Sequence, residues 1–134
     1  MNVRAISGWV LSGLLVALYL MSAGMKLGHP MAAEGFAKMG LSDWLVIIAI
    51  GEIVSAVLFI IPRTAILGLL LLSSYMGGAI ITHMMHPADG PWYGAAVILV
   101  LVWVAGFLRM PFLLQDLLGG SEVPAEVSGE KPSP

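Results

Sequence analysis

Four apolar runs, near residues 6–25, 45–61, 65–82 and 92–108, constrain this chain more than anything else in it. Each approaches the ~20 residues that an α-helix needs to cross ~30 Å of hydrocarbon. Backbone groups in that layer must bond to one another, so runs of this length become helices. Composition agrees: 59% of the 134 residues are hydrophobic and 10% are charged, against about 25% charged in an ordinary soluble domain. The first run follows Arg4 and ends near the small residues "SAG", as a signal peptide would. It exceeds the ~7–15 residues of such an apolar region, so a retained first helix is expected.

The connections set the architecture. "PRT" between the second and third runs and "HPADGP" between the third and fourth allow only tight antiparallel turns. An all-α, up-down-up-down four-helix bundle in the membrane follows, occupying residues 1–115. In the longer first connection, Pro30 is a good opening residue and Gly40 a good closing one, which predicts a short interfacial helix over 31–39 with Met31, Phe36 and Met39 on one apolar face. From residue 116 the chain is rich in Pro, Gly, Ser and Glu, and a disordered cytoplasmic tail over 116–134 is expected.

Arg4, Arg63 and Arg109 fall on one side of this bundle, and Lys26 and Lys38 on the other. The positive-inside rule then predicts cytoplasmic N and C termini. Trp9 lies near the inner interface, and Trp44, Trp92 and Tyr93 near the outer one, where aromatic belts form. A net charge of −2 without a basic block excludes nucleic-acid binding. The absence of cysteine excludes disulfides, thiolate nucleophiles and iron–sulfur ligation by this chain. Any redox work therefore runs through a bound cofactor, a quinone or a partner protein.

Polar residues at membrane depth mark the candidate site. Glu52 follows Trp44 by eight residues, about 12 Å down a helix and near the middle of the bilayer. A charge there costs at least about 2.5–3.5 kcal/mol, so the carboxyl must be neutral, paired or beside water. Tyr19, Ser22 and Lys26 share a face of the first helix by spacings of three and four, Glu52 and Ser55 a face of the second, and Tyr75, Thr82 or His83, and His86 a side of the third. A pocket among helices one to three is expected, with Glu52 at its floor and Lys26, His83 and His86 near its mouth. The fourth span, without an acidic residue, a basic residue or a histidine between Trp92 and Arg109, reads as a packing wall.

Each residue also has a plainer reading. Lys26 could snorkel to the headgroups, Glu52 could be a neutral acid tightening helix contacts, and the two histidines could cap the third helix. "HMMH" supplies two imidazoles without a third ligand, so no metal site is assigned.

"SAGMKL" near the end of the first span, "FAKMGLSDWL" leading into the second, "GEIVSAVLFIIPR" within and after it and "YMGGAIITH" on the third resemble the DoxX-like family of small four-helix membrane proteins over residues 6–110. The family's characteristic polar residues fall on Lys26, Glu52 and the Thr82–His83 pair. The resemblance implies the four-helix fold and a link to redox or sulfur metabolism, since named members include a membrane subunit of a thiosulfate:quinone oxidoreductase. His86 and the tail inherit no role from it.

Three functions are open on these grounds. The first is a redox accessory or quinone-interacting subunit in which Lys26, Glu52 and His83 carry the chemistry and Tyr19, Ser22, Ser55, Tyr75, Thr82 and His86 line the ligand site, with a redox partner protein. The second is a proton-coupled carrier of a weak acid or apolar solute, which predicts a homodimer. The third is an assembly partner without chemistry of its own. Whether the chain is an enzyme stays open.

Overall fold

The computed structural model describes residues 2–119. Four long helices dominate: α1 (Val3–Gly28), α3 (Leu45–Ile60), α4 (Ala65–Met85) and α5 (Trp92–Arg109). All four, α3 together with the 3₁₀ turn Ser42–Trp44 that leads into it, have the length and apolarity to cross a membrane, and they run alternately up and down. Each helix packs on its neighbours in a ring, α1 on α3, α3 on α4, α4 on α5 and α5 on α1. Large apolar side chains such as Leu14, Ile47, Val54, Leu70 and Val100 point outward around the ring. In water such a surface would aggregate; in hydrocarbon it is the solvated face. This is a multi-pass membrane protein.

Two short helices complete it. The first connection forms α2 (Pro30–Lys38), with Pro30 in its first turn and His29 between it and α1. Gly40 has φ +71°, its N–H donates to Ala37 O at 3.1 Å, and the N–H of Leu41 donates to Phe36 O at 2.8 Å. These two bonds make a Schellman closure, whose left-handed residue favours glycine, and the motif commonly brings the flanking apolar residues together. The expected common face is only partly correct: Phe36 and Met39 turn inward, but Met31 is 73% exposed.

At the other end, Pro111 opens a helix that the sequence reading lacked, α6 (Pro111–Leu117). It extends into the segment expected to be a tail from residue 116, and the rest of that segment, 120–134, lies outside the described residues.

The packing is lopsided along the bundle axis. On α4 every buried residue lies between Ala65 and Met76, and on α5 between Val102 and Gly106. The core of Leu15, Phe59, Leu69, Leu72, Val102 and Ala105 therefore fills the half of the bundle that holds the α3–α4 turn, the start of α1 and the end of α5. There Gly68 lies directly against the backbone of Phe59, and Gly8 against Leu108 and Arg109. The opposite half, where α4 ends and α5 begins, contains the cavity.

Arg109 fastens the packed half. Its guanidinium donates from Nη1 to Phe59 O at 2.9 Å and from Nη2 to Ile60 O at 3.1 Å. These are terminal carbonyls of α3, which lack partners within their own helix. The same guanidinium lies 4.1 Å from the centroid of the Trp9 ring. Arg4 performs a parallel task, donating from Nη2 to Phe107 O of α5 at 2.9 Å. We expect Arg109→Met to lower stability by about 2 kcal/mol, the scale of hydrogen bonds to a charged group. Arg109→Lys should not restore it, because a point ammonium cannot span two carbonyls and also stack. Reversible unfolding in mixed micelles measures both.

Candidate functional site

Helix geometry brings the polar stripes together. The Lys26 ammonium donates to Glu52 Oε2 at 2.7 Å and to Ser22 Oγ at 2.6 Å. The Glu52 side chain is 1% exposed and that of Lys26 13%. Lys26 thus does not reach for headgroups; it neutralises a carboxylate that the membrane interior would otherwise penalise. An ammonium has three N–H groups. Two are committed, and the third has no hydrogen-bond acceptor among the described residues, with Nζ 5.8 Å from the centroid of the Tyr75 ring.

Above the ion pair opens a cavity of about 670 Å³, inside the ~300–1,000 Å³ range of small-molecule sites. Tyr19, Ser22 and Lys26 of α1, Glu52 of α3, and Tyr75, Thr82 and His83 of α4 line it. Tyr19 and Tyr75 meet edge to face with ring centroids 6.3 Å apart. The Tyr19 hydroxyl is buried and has no hydrogen-bond partner among the described residues.

The imidazole of His83 is oriented by its own helix. Nδ1–H donates to Ala79 O at 2.7 Å. A carbonyl only accepts, so this bond assigns the proton to Nδ1 and leaves Nε2 as the free ring nitrogen. Gly90, with φ +137°, lies beside that edge of the ring: a Cβ there would stand 3.4 Å from Cδ2 and 3.7 Å from Nε2.

Two of the expected members stay outside. The Ser55 hydroxyl donates to Gly51 O at 2.6 Å, and the residue does not line the cavity. A serine facing the preceding turn satisfies itself locally. His86 stands one residue past α4, donates from Nδ1 to Thr82 O at 3.2 Å, and is also absent from the cavity wall. No group of three or more metal-ligating side chains occurs among the described residues.

The pocket is also broader than three helices. The start of α5 contributes Pro91, Gly94, Ala95 and Ile98, and the α2 region closes the mouth with Phe36, Met39 and Leu41. The fourth span is a wall, as expected, but a wall of the cavity at one end and of the core at the other. Small residues in "YGAAV" were the available signal: Gly94 and Ala95 leave the room that larger side chains would fill.

The result is an apolar chamber with its polar groups gathered on α1, α3 and α4: a compensated ion pair, an ammonium N–H and a phenol without acceptors, and an imidazole with one free nitrogen. It suits a ligand with an apolar body and a hydrogen-bond acceptor. No curated protein and no solved structure matches the chain. The sequence profile of a family does match, over residues 10–105, a span that holds the whole cavity lining from Leu18 to Ile98, and the chain accordingly belongs to the DoxX-like family.

Proposed function

We propose that this protein is a quinone-interacting membrane subunit, a redox accessory whose cavity holds a quinone head. The observation that supports it most is the third N–H of Lys26, without an acceptor among the described residues, on the wall of a largely apolar chamber. A quinone presents a flat apolar ring with carbonyl oxygens, and one carbonyl would satisfy that donor. Two-electron reduction of a quinone consumes two protons. Lys26 would stabilise negative charge building on a quinone oxygen, while His83 and Glu52 are the groups able to exchange protons beside it. The chain has no cysteine for a thiolate-bound redox centre, so in this reading a partner protein delivers the electrons.

The same reading sets the protein in a bacterial inner membrane with cytoplasmic termini. Arg4, Arg63 and Arg109 at the packed end, against Lys26 and Lys38 at the cavity end, support that orientation.

Binding of a short-chain quinone to the protein in nanodiscs, followed by tryptophan quenching, tests the reading. Glu52→Gln and His83→Gln are each expected to weaken binding about tenfold, or about 1.4 kcal/mol, and to impair quinone turnover with the electron donor. Unchanged binding and turnover in the doubly substituted protein defeats the proposal. Glu52-dependent proton flux into liposomes, without quinone binding, would replace it with the carrier reading.

A further inference from the structure

A second depression lies on the outside of the bundle, between α1 and α2, with a volume of about 330 Å³. Its lining is Leu18, Met21, Ser22, Met25, Lys26 and Ala32. Three of these six, Leu18, Ser22 and Lys26, also line the internal cavity. They follow one another at spacings of four, so they form one ridge along α1. The ridge is a partition one side chain thick. On its inner flank is Tyr19, and on its outer flank are Met21 and Met25.

The partition is weakest at its middle. Ser22 is the smallest of the three, and at its level the partition is closed by a single hydrogen bond, from Lys26 Nζ to Ser22 Oγ at 2.6 Å, beside the ion pair. The outer flank is made of methionines, unbranched side chains that adapt their shape readily, and Met21 is 60% exposed on the lipid-facing surface. On the far bank α2 has no buried residue at all, so little packing opposes its displacement.

From this we infer that the groove between α1 and α2 is a lateral doorway from the bilayer, and that the cavity's ligand is a membrane-dissolved molecule with a long apolar tail: the head occupies the chamber beside Lys26 and Glu52, and the tail crosses the ridge at Ser22 and lies in the groove against Met21, Met25 and Ala32. The inference rests on reading the cavity as a ligand site. The occupant is set by continuity, because the groove shares its inner wall with the chamber and opens towards hydrocarbon. A compact water-soluble solute would have no use for it.

Because the chain has no cysteine, a single Ala95→Cys on the α5 wall of the cavity reports access without background. Vesicles carrying this protein are treated either with a long-chain N-alkyl maleimide dissolved in the bilayer or with a charged, water-soluble maleimide. The alkyl reagent is expected to label Cys at this position, and added Ala32→Trp or Met21→Trp, which fill the groove without touching the chamber, should slow it about tenfold. Labelling by the charged reagent should change less than about twofold on the same scale. Alkyl labelling that is absent, unaffected by either tryptophan, or slowed no more than charged labelling overturns the doorway. The assay contains no quinone, so its failure is distinct from a failure of quinone binding, and thermal unfolding in micelles confirms that each variant is folded before it is scored.

Discussion

Lys26→Met alone is expected to destabilise the bundle by about 3–5 kcal/mol, the cost of leaving one charge of a buried pair without its partner. The carboxylate of Glu52 would remain at 1% exposure with its counter-ion and strongest hydrogen bond removed. Replacing both partners, Lys26→Met with Glu52→Leu, is expected to bring stability back to within about 1 kcal/mol of the parent, because apolar side chains of similar volume often match a buried ion pair. The double variant should nevertheless lose ligand binding, since both polar groups at the chamber floor are gone. Reversible unfolding in mixed micelles, read beside quinone binding, separates the two effects. If the single and double variants prove equally stable, the pair does not compensate a buried charge. If the double variant folds and still binds and supports turnover, the polar groups serve packing alone.

Gly68→Ala should be nearly as damaging, at about 3 kcal/mol, the upper end of ordinary overpacking penalties. An added Cβ at that position would run into the backbone nitrogen and Cα of Phe59. Side chains can rotate away from an intruding methyl, but backbone cannot, so α3 and α4 would have to separate. That separation would pull Phe59 and Leu69 out of the core and move the carbonyls that Arg109 holds. Gly13→Ala is the matched control: nothing lies within 4 Å of its added Cβ. It should be neutral, or stabilising by up to about 1 kcal/mol through helix propensity. Equal unfolding midpoints for the two variants would show that the α3–α4 contact is looser than described.

The spans were legible because apolarity sustained over a membrane's width has one structural outcome. The Lys26–Glu52 pair was legible for a related reason: a charge at that depth needs a partner, and few were available. The placement of His83 followed from the same helical spacing. Ser55 and His86 misled because spacing reports a shared face, whereas a hydroxyl or imidazole beside its own preceding turn has a local carbonyl to bond. The contributions of Ile98 and Met39 to the chamber had no signature, since an apolar residue facing a cavity reads like one facing lipid. Arg109 entered the sequence reading as a marker of topology and proved to hold α3 as well. The short helix α6 escaped because seven residues after a proline carry too little periodicity to stand out.

The clasp formed by Arg109 and Arg4 has a mechanical consequence. Both arginines bind helix ends at the same pole of the bundle, where Gly8 and Gly68 also bring backbones into near contact. At the other pole α1 and α3 stay packed through Ala23, Ala49 and the compensated charge, whereas α4 and α5 have no buried residue there and α2 is lightly seated. The molecule is therefore built like a pair of tongs, with a stiff fulcrum and compliant tips. Small rotations about the fulcrum widen the tips without breaking a bond at the base. Amide exchange should accordingly be slowest around Phe59 and Leu69 and fastest near Met85 and Trp92, and a ligand that bridges the tips should slow exchange there while leaving the fulcrum unchanged.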